Sequence, residues 1–267
     1  MNFRVGTTSY ILPAEILPNV RFLANKIEDV ELVLFEVDDG PSNLLSLKES
    51  QELQQIASEH GLTYTVHLPL NLHLSDQEDL QDASLQKAKK AIDCTKALNP
   101  WAYVLHLDGK QVLENPSAKP RWLTQTLKAL SLVAGWAGGP QLLAVENLEN
   151  YPLDFLDEVF QQSGVSCCID IGHLWLEGHD PVAFLEKNLK RARVLHLHGI
   201  AVRDHQSLAH VPAAELNRVL DCIQCSGFEG VMTLEVFSRE DFMSSMEHLK
   251  HVLDTRKLEA NWKKNSR

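Results

Sequence analysis

The chain contains 267 residues, which is enough for one large domain or two small ones. Hydrophobic residues make up 44% of it and charged residues 23%, so the composition excludes a wholly disordered chain. Acidic residues outnumber basic residues by 36 to 25, and the formal net charge of −11 disfavours a protein that binds nucleic-acid phosphates.

Short runs rich in apolar and β-branched residues alternate with longer amphipathic segments. Eight runs predict strands: Phe3–Thr7, Glu31–Val37, Thr63–His67, Ala102–Leu107, Gln141–Glu146, Ser166–Asp170, Val194–His198 and Val231–Val236. Several of them are almost continuously apolar, as expected for parallel strands that are buried on both faces.

The segments between these strands have helical periodicity. The predicted helices are Ser46–His60, Ala83–Leu98, Arg121–Ala137, Pro152–Gln162, Pro181–Arg191, Pro212–Cys225 and Glu240–Leu258. Ser46 and Glu49 form a candidate capping box, and Gly61 suits the carboxyl end of the same helix. We expect residues 258–267 to form a frayed tail.

Strands that alternate with helices imply a parallel sheet, and eight such units close into a (β/α)₈ TIM barrel of about 250 residues. An open doubly wound sheet is the alternative, but it usually carries a glycine-rich turn after its first strand. Here Gly6 is the only glycine in that turn. The sequence therefore predicts an α/β protein with one TIM-barrel domain over residues 1–267.

The amino-terminal residues lack the apolar stretch of a secretory signal, and no apolar run reaches the roughly 18 residues of a membrane span. We therefore expect a cytoplasmic protein. The five cysteines are too few and too irregularly spaced for a disulfide framework. Cys222 and Cys225 have a metal-like spacing, but they lie in a segment with helical periodicity, so structural packing is the favoured interpretation.

Titratable residues close almost every predicted strand. They are Glu36, His67, His106, Glu146, Asp170, His196, His198 and Glu235. A TIM barrel brings the carboxyl ends of its strands to one face, where active sites lie. Because several carboxylates buried together need a cation, and because histidine accompanies them, the sequence predicts a site for Zn²⁺, Mn²⁺ or Fe²⁺ rather than Mg²⁺ or Ca²⁺.

Each of these residues has a simpler interpretation when it is taken alone. A single strand-end histidine is usually a hydrogen-bonded polar residue, and Glu146 or Asp170 could cap the following helix. Glu36 is expected to bind substrate or to orient a metal ligand. His196 and His198 share a strand face, and only one of them is expected at the depth of the metal.

Taken together in chain order, the residues that end the predicted strands resemble those of the xylose-isomerase-like, endonuclease-IV-like TIM-barrel superfamily. The resemblance covers nearly the whole chain. The matching segments are Leu143–Asn147, Ile169–His173, Val194–His198 and Thr233–Val236. The resemblance implies the ligand set that is shared with the sugar isomerases and epimerases of the superfamily, namely Glu146, Asp170, His196 and Glu235.

Further histidines match the additional ligands of the endonuclease-IV-like phosphodiesterases, which bind three metals. They are His67, His106, His173 and His205. That branch carries an Asp-x-His motif after strand 7, but here Arg203 stands at the position of the Asp. Asp204 is adjacent and could replace it only with a changed backbone. The resemblance implies two or three divalent ions, Zn²⁺ first, with Mn²⁺ or Fe²⁺ as alternatives.

The segments Arg4–Pro13, Val30–Glu36 and Asp204–Leu208 are similar to the cobamide-remodelling hydrolases of this superfamily. The similarity implies cleavage of the phosphoester in the nucleotide loop of a cobamide such as cobalamin, which releases cobinamide phosphate and the α-riboside of the lower base. The alternatives are a sugar isomerase or epimerase and an endonuclease-IV-like DNA phosphodiesterase. The expected partner is a small corrinoid molecule, with no nucleic acid and no membrane.

The resemblance also implies roles for single residues. Glu146, Glu235 and His173 are the catalytic candidates, and Glu146 is expected to bridge two ions. His67 and His106 complete one ion site, Asp170, His196 and Glu235 complete the other, and His173 and His205 hold a third ion or contact the phosphate. The substrate-binding candidates are Glu36, His198, Arg203 and Trp175. Core packing is the alternative for Trp175.

Overall fold

Eight parallel strands form a closed barrel in which each strand pairs with the next and β8 pairs with β1. The computed structural model describes residues 2–36, 42–75 and 78–265, without the side chains at positions 78, 80 and 256–265. The strands are β1 (Arg4–Thr8), β2 (Asp29–Val33), β3 (Thr63–His67), β4 (Tyr103–Leu105), β5 (Leu143–Glu146), β6 (Ser166–Asp170), β7 (Ala192–Leu197) and β8 (Val231–Leu234). The predicted TIM barrel is confirmed.

Helices connect the strands. In the described part of the chain they are α1 (Ile16–Leu23), α2 (Leu47–His60), α3 (Glu78–Thr95), α4 (Lys110–Glu114), α5 (Lys119–Ala137), α6 (Asp157–Ser163), α7 (Ile171–Leu176), α8 (Pro181–Asn188), α9 (Ala213–Ser226) and α10 (Arg239–Asn265). None of the helices formed by the described residues combines the length and the apolar character needed to cross a membrane.

The capping box predicted at the start of α2 is present. The Ser46 hydroxyl accepts the backbone N–H of Glu49 at 3.3 Å, and the Glu49 carboxylate accepts the backbone N–H of Ser46 at 2.8 Å. At the other end, Gly61 adopts a left-handed conformation with φ of 68°, which glycine tolerates without strain.

Two apolar clusters stabilise the barrel. The larger one fills the space between the strands and the helices and includes the buried Trp122. The smaller one lies inside the barrel and consists of Ala102, Val104, Ala144, Cys168 and Val194. These small side chains alternate along their strands with residues that face the helices, as in other barrels of eight strands. They form a packed floor beneath the carboxyl ends of the strands.

The amino-terminal end of the barrel is covered by a stacked trio of side chains. The guanidinium carbons of Arg4 and Arg193 lie 4.2 Å and 4.0 Å from the ring centre of Trp101. The indole N–H of Trp101 also donates to the backbone oxygen of Arg193 at 3.0 Å. Cation–π contacts and this hydrogen bond therefore hold Trp101 across the bottom of the barrel.

Some boundaries differ from the predictions. β2 runs over Asp29–Val33 rather than Glu31–Val37, because the apolar run continues past the last residue of the strand; Val37 lies outside the described residues. α6 begins at Asp157 rather than Pro152, since Pro152 forms a turn in which its carbonyl accepts the N–H of Phe155. The predicted helices did not include three that are present, α1, α4 and α7.

The last helix also extends further than predicted. The backbone of α10 is helical to Asn265, whereas the sequence pattern predicts an end at Leu258. The final two residues of the expected tail, 266 and 267, lie outside the described residues.

Candidate metal centre

Titratable side chains from six consecutive strands and the segments that follow them converge at the carboxyl end of the barrel. The strand register brings Asp170 of β6 opposite His196 of β7 and His196 opposite Thr233 of β8. The structure brings together all eight residues that were predicted as metal ligands: His67, His106, Glu146, Asp170, His173, His196, His205 and Glu235. Their donor atoms fall into overlapping groups, which we describe in turn.

The first group consists of Glu146, Asp170, His196 and Glu235, and all four side chains are buried. The Nδ1 atom of His196 lies 3.1 Å from Oε2 of Glu235, 3.6 Å from Oε1 of Glu146 and 3.9 Å from Oδ2 of Asp170. One imidazole nitrogen therefore faces three carboxylates, which is a donor set suited to a divalent transition metal.

The second group consists of His67, His106 and Glu146. The Nε2 atoms of the two histidines lie 3.4 Å and 3.2 Å from Oε2 of Glu146. The Nδ1 atom of His67 faces the backbone oxygen of Leu68 at 2.7 Å, which leaves Nε2 as the donor toward this group. Since the other oxygen of Glu146 faces His196, Glu146 is shared by the first and second groups.

The third group consists of Asp170, His173, His198 and His205. The Nε2 atom of His173 lies 3.5 Å from Oδ2 of Asp170, and Nε2 of His198 lies 3.3 Å from Oδ1 of Asp170. The rings of His198 and His205 stack with their centres 4.2 Å apart. His198, which was predicted to bind substrate, is therefore placed among the candidate ligands.

Asp170 combines two roles that the sequence left as alternatives. Its Oδ1 atom accepts the backbone N–H of His173 at 2.7 Å and so caps α7. Its Oδ2 atom takes part in the first and third groups. The cap thus fixes the carboxylate while one oxygen stays directed at the centre.

In the loop after β7, Asp204 lies beside His205. His205 adopts φ of 50°, which is uncommon for a residue other than glycine. Oδ2 of Asp204 lies 3.1 Å from Nδ1 of His205, and Nε2 of His205 lies 3.3 Å from Oε2 of Glu235. Asp204 also groups with Glu149 and His173.

Several buried polar atoms in these groups have no hydrogen-bond partner, and such atoms indicate whether the groups are suited to bind metal ions. Five such atoms of the described residues lie in the first and third groups: Asp170 Oδ2, His173 Nε2, His196 Nδ1, His198 Nε2 and Glu235 Oε2. A buried polar atom without a partner is costly, and a bound cation removes that cost. The mixed nitrogen and oxygen donors therefore fit divalent ions.

The close packing of carboxylates and imidazoles changes their proton affinities. Burial lowers the pKa of His173, but Asp170, Glu146 and Glu149 outweigh it and raise the pKa to about 9. Burial is likewise outweighed at His205, where Glu235 contributes most to raising the pKa to about 9. Protons therefore balance the carboxylates when metal is absent, and binding of a metal releases them.

A comparison with protein families covers most of the chain. Residues 25–255 match the family described as xylose isomerase-like TIM barrel. The chain belongs to this family. Its members are enzymes, among them epimerases and endonuclease IV, and they often bind divalent metals. No protein of curated function matches the sequence.

Several solved structures share the fold of this chain, although their sequence identity to it is low. A D-tagatose 3-epimerase-like protein superimposes with a TM-score of 0.77 at 19% identity, over 97% of this chain and 100% of that one. Endonuclease IV from Thermus thermophilus gives 0.69 at 19% identity, over 93% and 99%. A 3-keto-D-glucoside 4-epimerase from E. coli gives 0.72 at 14% identity, over 94% and 99%.

An open cavity of about 850 Å³ lies above the three groups, and we call it the mouth cavity. Its wall includes His67, His106, Glu146, His173, His205 and Glu235 from the groups. Apolar side chains line its rim, and Leu70, Leu113 and Phe237 remain 54%, 40% and 41% exposed. The cavity therefore combines a polar base with an apolar rim.

Three predicted substrate-binding residues do not line the mouth cavity. Glu36 lies beyond the end of β2 and pairs with Lys90 of α3, with Oε1 and Nζ 2.5 Å apart. Trp175 packs against the larger apolar cluster, which is the core alternative. Arg203 is exposed in the loop after β7. None of the three is among the described residues that line the cavity.

Two buried residues near the centre were not predicted. Glu31 of β2 places Oε2 3.0 Å from Nε2 of His196, and Cys168 groups with Glu146 and His196. The signal for Glu31 was present in the alternation of acidic Asp29 and Glu31 with apolar residues, which indicates that both acids share the inner face of the strand.

Proposed function

We propose that this family member is a metal-dependent phosphoester hydrolase that cleaves the nucleotide loop of cobamides and so serves corrinoid salvage. The products would be cobinamide phosphate and the α-riboside of the lower base. The observation that carries the proposal is the second group, because His67 and His106 both face Oε2 of Glu146. This group adds a second metal position to the four ligands of the first group.

A second metal position favours phosphoester hydrolysis over isomerisation. A phosphodiester carries a negative charge that repels an attacking nucleophile. Clustered divalent ions supply charge neutralisation and make water a better nucleophile at neutral pH. A carboxylate shared between two groups, as Glu146 is here, holds two such positions close together.

The residues at the base of the mouth cavity supply the remaining chemistry. Glu146 and Glu235 present carboxylate oxygens that can accept the proton of the attacking water. His173 and His205 line the same wall, and when they are protonated their N–H groups donate hydrogen bonds to phosphate oxygens. These roles belong to residues that were predicted as catalytic or metal-binding.

The rim of the mouth cavity supports a large, partly apolar substrate. Phe35, Leu70, Leu113 and Phe237 offer apolar contacts around the polar base. Lys110 is the single lysine or arginine among the described residues that line the cavity, so the cavity is a poor site for a polyanion such as DNA. The choice of a corrinoid within this substrate class depends on the sequence similarity to cobamide-remodelling hydrolases.

Incubation of the purified protein with adenosylcobalamin tests the proposal. We expect a base-off absorption spectrum and release of cobinamide phosphate. Activity should be lost after treatment with a chelator and restored by Zn²⁺ or Mn²⁺. Full activity in a metal-free preparation would contradict the proposal.

A matched pair of histidine variants sharpens this test. His106→Asn removes a donor of the second group and should lower turnover by about 10-fold or more. His73→Asn alters another histidine of the mouth cavity that is outside all three groups, and we expect a smaller loss. Equal losses in the two variants would argue against a role for the second group.

A sugar isomerase or epimerase is the second candidate function. The observation that favours it is the first group, which is complete without His67 and His106 and contains two glutamates that could serve as acid and base. This candidate predicts that His106→Asn retains activity toward ketoses. Screening wild type and His106→Asn against a panel of ketoses therefore separates the two functions.

A further inference from the structure

Glu31 is a fully buried carboxylate directly beneath the candidate metal centre. It lies on β2 with no solvent exposure. The smaller apolar cluster does not surround it, because that cluster consists of residues from other strands of the barrel interior. Its Oε2 atom lies 3.0 Å from Nε2 of His196 and accepts the hydroxyl of Thr233 at 3.4 Å. A buried carboxylate needs such partners, since transfer of an unpaired charge from water is very unfavourable.

The contact with Glu31 can fix which nitrogen of His196 carries the proton. A neutral imidazole has one N–H and one nitrogen lone pair. With Nε2–H donated to Glu31, the lone pair is on Nδ1, which faces Glu235 and Glu146 at 3.1 Å and 3.6 Å. His67 shows the opposite arrangement, because its Nδ1 is taken by a backbone oxygen and its Nε2 faces Glu146.

We propose that Glu31 is a positioning residue that holds the Nε2–H of His196 and thereby presents Nδ1 of this ring to the metal. The inference rests on the metal centre of the proposed function and is independent of which substrate is cleaved. Carboxylates that accept the second N–H of a metal-bound histidine fix its tautomer and orientation, and their loss typically weakens metal binding 10- to 100-fold.

The chain offers a matched control on the same strand. Asp29 is also fully buried and lies two residues before Glu31, so both side chains are on the same face of β2. Asp29 accepts the hydroxyl of Thr63 at 2.5 Å and is in none of the donor groups of the described residues. A general effect of removing a buried carboxylate should therefore appear in both positions, whereas a positioning effect should appear only at Glu31.

Titration of metal-free protein with Zn²⁺ and Co²⁺ against a competing chelator tests this role. We expect Glu31→Leu, which has no acceptor, to bind 10- to 100-fold more weakly. Glu31→Gln keeps an oxygen acceptor and should recover part of the loss, and Asp29→Asn should bind like wild type. The visible spectrum of bound Co²⁺ should change only in the Glu31 variants. Wild-type affinity in Glu31→Leu, or an equal loss in Asp29→Asn, would overturn the proposal.

A measurement on the wild type covers the case in which the variants do not fold. In nitrogen-15 NMR spectra of the Zn²⁺-loaded protein, His196 should carry its proton on Nε2, and a proton on Nδ1 would overturn the proposal.

Failure of the positioning role can be distinguished from failure of the proposed function. Absence of cobamide cleavage with the Glu31 effect intact contradicts the substrate alone, whereas cleavage with no Glu31 effect contradicts the positioning role alone.

Discussion

Oε2 of Glu146 lies 3.4 Å from Nε2 of His67, and both side chains are almost completely buried. The opposite oxygen of the same carboxylate faces His196 at 3.6 Å. Glu146 therefore belongs to two donor groups at once. A neutral amide at this position would leave both groups with less negative charge to hold a cation.

We expect Glu146→Gln to abolish hydrolysis and to reduce the metal content of the purified protein, because glutamine keeps the size of the side chain and loses its charge. The fold should persist, so circular dichroism should match that of wild type. Elemental analysis measures the metal content. Glu36→Gln is the control, since Glu36 pairs with Lys90 and does not line the mouth cavity. Unchanged metal content in Glu146→Gln would refute the shared role.

The stability of the metal-free protein should fall as the pH rises. The pKa values of His173 and His205 are both about 9 in the folded protein, above their ordinary value of 6.5. A group with a raised folded pKa contributes stability that is complete below its unfolded pKa and is lost as the pH rises through its folded pKa. The loss should therefore extend from about pH 6.5 to about pH 9.

Urea unfolding of metal-free protein across this pH range measures the effect. His173→Asn should show a shallower decrease than wild type, because one of the two groups no longer titrates. Binding of Zn²⁺ should strengthen over the same range, since each histidine must lose its proton before it can bind metal. A flat stability profile would contradict the raised pKa values.

Gly172 allows the ring of His198 to reach Asp170. A Cβ atom at Gly172 would lie 2.2 Å from Cε1 and Nε2 of His198, which is far too close. Gly172→Ala should therefore displace this ring, weaken metal binding at the third group and destabilise the protein by about 1–3 kcal/mol. Thermal unfolding and metal titration measure the two effects.

Gly135 provides a control for this substitution. It is also helical, within α5, and a Cβ atom there would meet nothing within 4 Å. Gly135→Ala should stabilise the protein by about 0.5–1 kcal/mol and leave metal binding unchanged. If both alanine variants behaved alike, the close approach of His198 would not be the cause.

Removal of the capping box should separate stability from function. Ser46→Ala deletes the hydroxyl that accepts the N–H of Glu49 at the start of α2. We expect a loss of about 1 kcal/mol in the free energy of unfolding, with metal content and turnover equal to those of wild type. A lower metal content in Ser46→Ala than in wild type, measured at the same temperature, would show that this end of α2 affects the metal centre.

Most of the barrel was predictable because its signals are local. The run Thr63–His67 is rich in β-branched and aromatic residues, and its predicted bounds are those of β3. The end of β2 was missed for a physical reason. Leu34 stays buried after the strand has ended at Val33, so hydrophobicity continues where strand pairing does not.

The centre was predictable where topology alone decides the position of a side chain. Residues such as Glu146 and Asp170 end strands, and a barrel brings all such ends to one face. The positions of Arg203 and Trp175 depend on how the connecting segments turn, which strand periodicity does not reveal. Glu31 was missed because a charged residue in the middle of a buried strand is an exception to the usual burial preferences.

The packed floor inside the barrel has a consequence for exchange kinetics. Small apolar side chains fill the interior below the centre, and Trp101 lies across the far end between two arginines. Ions and substrate can therefore share the mouth cavity as a route to the centre. A molecule bound in the mouth should slow the departure of ions beneath it, so the rate at which a chelator strips the centre reports directly on occupancy of the mouth.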